Sequence, residues 1–177
     1  MNYADIKTID VANGPGVRVS LFVSGCSHHC EDCFNKETWD FHFGQLFGEK
    51  EIDTIIEYMS QDHIKGFSLL GGEPFEFTNQ QGILPLLRRI KEVYPAKDIW
   101  CWTGYLFDTE IRDNMMTKWP ETKEILSYID VLVDGRFEKD KKNLSLRFRG
   151  SSNQRIIDVK KSLDSGDVVL WNEADTI

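Results

Sequence analysis

Apolar and polar positions fall into blocks of two periods along the chain. Residues 17–23 (Val-Arg-Val-Ser-Leu-Phe-Val) are rich in β-branched and aromatic side chains and stop at Ser24-Gly25, which predicts a buried strand. Ile52, Ile55, Ile56 and Met59 recur at helical spacing with Glu51, Asp53 and Glu57 on the opposite face. Residues 66–70 are a short apolar run, a second strand ended by Gly71-Gly72-Glu73-Pro74. Helical spacing returns at Ile83, Leu86, Leu87, Ile90 and Tyr94, with Pro85 placed in the first turn and Pro95 as the stop. Residues 99–102 predict a strand leading into Thr103-Gly104-Tyr105, and about 108–127 a helical region broken at Pro120. Residues 129–133 read as a strand ending at Asp134-Gly135, and 144–148 and 168–171 as two further strands.

Strands alternating with helices imply an α/β fold with a mostly parallel sheet and right-handed crossovers, whose functional loops gather at the carboxyl ends of the strands. Five polar or glycine-rich segments then share one rim: residues 26–33, 71–74, 103–105, 134–135 and 149–155. With 177 residues the chain is too short for eight βα units, so an open partial (β/α) barrel is expected, with residues 1–177 as a single domain and no assignment for the tail 162–177.

Composition narrows the setting. A chain that is 41% hydrophobic suits one core. Its first 25 residues lack an apolar run of signal-peptide length, and stretches such as Val131-Leu132-Val133 are too short to span a bilayer, so a soluble, cytoplasmic protein is expected. Four cysteines in that setting read as metal ligands or reduced thiols. A formal charge of −8 argues against nonspecific nucleic-acid binding. Lys139, Lys141, Lys142, Arg147, Arg149 and Arg155 form a local basic exception, read either as a solvated loop face or as a partner or phosphate contact.

The chemistry concentrates in Cys26, Cys30 and Cys33, a C-x3-C-x2-C triplet directly after the first strand. Three thiolates are one short of a closed four-coordinate site. A [4Fe-4S] cluster held this way keeps one iron open to a substrate, whereas a zinc site would recruit a fourth ligand from His28, His29, His42 or Cys101. Against zinc, His28 and His29 sit in a loop too short to reach the same metal without strain and read as exposed. Cys101, between Trp100 and Trp102, reads as a buried inert thiol. Gly71 and Gly72 let a ligand approach the backbone, and Glu73 adds a carboxylate, which together suggest a ligand carrying an ammonium group.

The triplet after one strand and Gly-Gly-Glu-Pro after the next resemble the radical S-adenosylmethionine (SAM) superfamily. Asn13-Gly14-Pro15-Gly16, Phe22-Val23-Ser24-Gly25-Cys26, Cys33-Phe34-Asn35-Lys36, residues 98–105, Val131-Leu132-Val133-Asp134-Gly135 and residues 149–154 narrow the likeness. From about residue 2 to 157 the chain resembles the activating proteins of anaerobic ribonucleoside-triphosphate reductases. The resemblance implies a partial barrel of the radical SAM type, with Cys26, Cys30 and Cys33 holding a [4Fe-4S] cluster whose fourth iron is chelated by the amino and carboxylate groups of SAM. Gly71, Gly72 and Glu73 would meet the methionine end, and Asp32, Cys33 and Phe34 would pass close to SAM. Many members of the superfamily carry an aromatic residue where this chain has Asp32, with Phe34 following the third cysteine instead.

An electron passed from the cluster to SAM would release methionine and a 5′-deoxyadenosyl radical. That radical would take a hydrogen from a glycine of the reductase's large subunit and leave a stored glycyl radical. The resemblance also implies an electron donor such as reduced flavodoxin, and no catalytic side chain is assigned. The alternatives are an activase of another glycyl-radical enzyme, such as pyruvate formate-lyase, and a noncatalytic zinc or iron-sulfur interaction module. Asp134 and residues 149–154 read either as a turn and a helix cap or as contacts to SAM or the reductase.

Overall fold

The computed structural model describes residues 1–176, the side chains of 175 and 176 excepted; Ile177, the end of the predicted tail, lies outside them. Among the described residues seven strands form one mixed sheet. They are β1 (Asn2–Asp10), β2 (Val17–Val23), β3 (Gln45–Leu46), β4 (Ile64–Gly71), β5 (Asp98–Trp102), β6 (Val131–Asp134) and β7 (Arg155–Asp158), in the spatial order β3-β1-β2-β4-β5-β6-β7. The four central strands β2, β4, β5 and β6 are parallel, while β1, β3 and β7 run antiparallel to their neighbours.

The helices follow from the periodicity. In α1 (Glu49–Met59), Ile52, Ile55 and Met59 are buried, and the Glu51 carboxylate accepts the Gly48 N–H at 2.9 Å to close the first turn. The second helix, α2 (Phe77–Val93), begins earlier than the apolar spacing suggests, so Pro85 lies inside it rather than in its first turn. Pro85 and Gln81 are both exposed, so the missing hydrogen bond falls on a solvent-accessible stretch of the helix. A π-helical segment (Phe107–Met115) runs into α3 (Met116–Lys118), and the chain restarts at Pro120, the first residue of α4 (Pro120–Tyr128). The last helix, α5 (Val159–Ser165), is capped by Asp158, which accepts the Lys161 N–H, and closed by Gly166 in the left-handed conformation.

Strand side chains divide the sheet into two faces. Val19, Leu21, Val23, Phe67, Leu69, Ile99, Cys101 and Leu132 pack with Ile55, Leu87, Ile90, Ile111 and Ile125 of the helices in one core. The opposite face carries Ser20, Ser68, Trp100 and Val131 in one row and Phe22, Leu70, Trp102 and Val133 in the next. A smaller cluster of Trp100, Val131 and Val133 on that face is covered by Phe148 and Trp171.

Three expectations change. Residues 144–148 are not a strand: the sheet edge they would need is taken by β7, and the segment instead crosses the inner face with Leu144 85% exposed. Residues 168–171 make only an isolated bridge, Leu170 to Ile157, along β7. The pairing strands at the ends, β1, β3 and β7, were not expected as strands. No helix among the described residues is long and apolar enough to cross a membrane.

Candidate functional site

The loop after β2 is held from both sides. Gly25 turns it with φ +99°, its N–H donates to the Thr38 carbonyl at 2.7 Å, and the Cys26 N–H donates to Trp39 at 3.3 Å. His29 and Asp32 take positive φ values of 52° and 57°, which fold the segment back on itself. The Cys33 N–H donates to the Cys30 carbonyl at 3.2 Å, and the Asn35 N–H approaches the Cys33 sulfur at 3.5 Å. Cys26, Cys30 and Cys33 are all half-buried and line one cavity of about 630 Å³, within the size range of ligand sites. Burial pushes the Cys26 thiol up to about 12, against the pull of the His28 and His29 backbone amides, and burial also raises Cys30. Among the described residues no three His, Cys, Asp or Glu side chains meet where a single metal ion could sit. Three thiols of one loop on one cavity are a donor set that a [4Fe-4S] cluster, with each thiolate on a separate iron, can use.

All five predicted rim segments contribute to this cavity, through the cysteines and His28, Gly71, Thr103 and Gly104, Gly135, and Arg149, Gly150 and Gln154. Gly71, with φ +103°, presents backbone to it. Gly72 and Glu73 stand behind Gly71. Gly72 donates to the Val23 carbonyl at 2.7 Å and Glu73 to the Gly25 carbonyl at 2.8 Å, and a Cβ on Gly72 would lie 2.6 Å from the Gly25 oxygen. The Glu73 side chain is fully buried and turned into the protein. It accepts from Gly104 N at 2.7 Å, Phe75 N at 2.8 Å and the Thr103 hydroxyl at 2.9 Å.

Asp32 lies at the mouth, half-exposed, 3.4 Å from Lys139, and does not line the cavity. Phe34 does line it, 62% exposed, tilted against Phe137 at 5.2 Å with the Lys142 ammonium 5.1 Å from its ring. The proposed zinc partners scatter. Cys101 is buried on the helical face, with burial raising its thiol well above the usual value. His42 is 94% exposed beside Asp40, and His29 stacks on Trp39 at 4.4 Å. His28 corrects the expectation of an exposed loop residue: its side chain is only 6% exposed, and Nε2 lies 2.8 Å from Glu73.

Asp134 and residues 149–154 hold the rim together rather than capping a helix. Asp134 is fully buried and accepts from Phe107 N and twice from the Arg155 guanidinium, at 3.0 and 2.6 Å. The Gln154 side-chain Oε1 accepts from the Gly150 and Ser151 N–H groups, and its Nε2 donates to the Gly135 carbonyl, forming a tight turn into β7. The basic segment is largely paired within the chain: Lys139 with Glu31 and Asp32, Lys141 with Glu138, Arg147 with Glu173, Arg155 with Asp108 and Asp134. These are mostly surface pairs, with Lys139, Lys141 and Arg147 half or more exposed, so the segment is a solvated face laced with ion pairs.

Sequence reasoning missed the inner walls: Ala12 and Asn13, the strand residues Phe22, Leu70 and Trp102, and Phe137, Leu144, Leu146 and Phe148 of the crossing segment. The signal was present for the strands. Each of Phe22, Leu70 and Trp102 is the last large side chain on its inner face before a rim loop.

Comparison with known proteins places the chain among described families. The chain matches the family described as a 4Fe-4S single cluster domain over residues 12–157. Three curated relatives are each named anaerobic ribonucleoside-triphosphate reductase-activating protein. That of Escherichia coli (strain K12) is 46% identical over 158 residues, 88% of this chain and 97% of its own. That of Pasteurella multocida (strain Pm70) is 43% identical over 158 residues, 88% of this chain and 96% of its own. That of Enterobacteria phage T4 is 42% identical over 156 residues, 88% of this chain and 93% of its own.

Proposed function

We propose, from the premise that this chain belongs to the family of anaerobic ribonucleoside-triphosphate reductase-activating proteins, that it installs a glycyl radical on that reductase by reductive cleavage of SAM. The observation that carries the reading is the sharing of one cavity by Cys26, Cys30, Cys33 and the open backbone of Gly71. A [4Fe-4S] cluster held there would supply the one electron needed to cleave the sulfur to C5′ bond of SAM to methionine and a 5′-deoxyadenosyl radical, which would take a hydrogen atom from the reductase glycine and leave 5′-deoxyadenosine and a glycyl radical.

The residues of the chain bind, orient and exclude water. Cys26, Cys30 and Cys33 hold the cluster, and Gly71 admits the methionine end of SAM to the backbone. Gly72 and Glu73 support that approach from behind, by bringing the cysteine loop against the turn. Cys33 and Phe34 border the bound SAM, with Asp32 at the mouth, and Phe34 and Phe137 form an apolar wall against water. Helices on one face and a cavity on the other support an open partial (β/α) barrel of the radical SAM type, acting as one domain. The large subunit of the reductase is the macromolecular partner, and a reduced flavodoxin is a suitable electron donor. The charge of −8 speaks against nonspecific nucleic-acid binding, and short apolar runs are in keeping with a cytoplasmic protein that does not enter the membrane.

The test is anaerobic reconstitution with iron and sulfide, reduction, addition of SAM and assay of 5′-deoxyadenosine. Product is expected from the parent and none from Cys26→Ala. Absence of product from the iron-loaded parent, or undiminished product from Cys26→Ala, sinks the reading. Adding the reductase should then produce a glycyl-radical resonance, whereas a resonance only with pyruvate formate-lyase would reassign the partner.

A further inference from the structure

The rim segments after β2, β4 and β5 converge on one buried carboxylate. Glu73 receives Gly104 N, Phe75 N, the Thr103 hydroxyl and His28 Nε2, all within 2.9 Å. His28 lies midway between Cys26 and Cys30, where a loop side chain would ordinarily face water, yet its ring sits in a fitted slot. A Cβ on Gly104 would stand 2.5 Å from the ring Cδ2 and 2.7 Å from Nε2, so the slot exists only because residue 104 has no side chain. Tyr105 closes the slot edge-on, with ring centroids 4.4 Å apart. Burying an imidazole costs free energy unless its polar atoms are matched, and Glu73 supplies that match.

We propose that His28 is a positioning residue for the cluster: through Glu73 it clamps the cysteine loop to the turns carrying Gly72 and Gly104, so that this side-chain pair, beside the Glu73 N–H to Gly25 and Ser27 N–H to Glu76 bonds, fixes how the thiols sit against the ligand-facing backbone. Partners of this kind, one step behind the ligands, ordinarily carry a large share of a metal site's affinity.

The inference rests on the reading of the three cysteines as cluster ligands and is tested apart from SAM chemistry. Parent, His28→Ala, His28→Gln, Gly104→Ala and the double variant His28→Ala/Gly104→Ala are reconstituted, checked for folding by circular dichroism, and assayed for iron release to a chelator without SAM or reductase. His28→Ala should release iron about 10- to 100-fold faster than the parent. His28→Gln, which retains an N–H for Glu73, should recover most of the difference. Gly104→Ala should reproduce the loss by displacing the ring, and should add little in the His28→Ala background, where the ring is gone. Release from His28→Ala at the parent's rate, or an undiminished Gly104→Ala effect in the double variant, overturns the proposal. A histidine needed for folding alone would lower the melting temperature but leave release from the folded fraction unchanged, which also overturns it. A parent that holds iron but makes no 5′-deoxyadenosine defeats the functional reading and leaves this comparison intact.

Discussion

At the scale of one residue, Glu73 carries more of the fold than its place in a glycine-rich turn suggests. Glu73→Ala would leave the Phe75 N–H and Thr103 hydroxyl, both buried, and the part-buried Gly104 N–H and His28 Nε2 without their partner. At about 1–3 kcal/mol for each buried orphan, the loss should be about 3 kcal/mol or more, read from urea unfolding. Glu73→Gln keeps one acceptor oxygen and should lose less. A second residue sets an acid limit. The hydrogen bond from Arg155 holds the Asp108 carboxyl below its usual range, against the opposing effect of burial. A lowered folded value means that this stabilisation is complete above the unfolded aspartate value of about 4 and is lost as pH falls through the folded one. The gap in urea midpoint between parent and Arg155→Met should therefore be constant near pH 6–7 and shrink below about pH 4. Sequence alone grouped Cys26, Cys30 and Cys33 because their spacing is local, and the three do line one cavity. It misplaced His28 because the slot depends on Gly104, which lies far along the chain and enters through another strand.

At the scale of elements, two glycines separate backbone strain from crowding. Gly166 closes α5 at φ +81° with open space around it, whereas Gly71 ends β4 at φ +103° with a would-be Cβ 2.6 Å from the Val23 nitrogen. Gly166→Ala should therefore cost about 1 kcal/mol for the conformation alone. Gly71→Ala should cost about 3 kcal/mol or more, and thermal melts of the two variants should rank them in that order. The strands β2, β4, β5 and β6 were legible because parallel strands buried on both faces read as apolar runs. The antiparallel β1 was not, since Tyr3, Ile6 and Ile9 recur every third residue and match neither strand nor helix cleanly. Residues 144–148 erred the other way. Leu144, Leu146 and Phe148 alternate as a strand does, but a strand also needs a free edge, and edges are a property of the finished sheet.

At the scale of the whole molecule, the inner face is closed by a segment from the far end of the chain. Trp171 packs edge-on against Trp100 at 4.9 Å and against Phe148 at 6.3 Å, so the tail that had no assignable role from sequence covers one end of the inner cluster. Trp171→Ala should lower stability by about 1–3 kcal/mol. Tryptophan fluorescence should shift to the red as Trp100 gains water, whereas an unchanged spectrum and melting temperature would show the tail to be dispensable. The walls of the cavity have an order in time as well as in space. The cysteine loop is complete at Cys33, but Gly135, Phe137 and Gln154, which enclose it, are made up to about 120 residues later. At roughly 5–20 residues per second, about 6–24 s separate the last cysteine from the last of these walls. Enclosure of the thiols is thus a late event of synthesis, however early the loop itself is made.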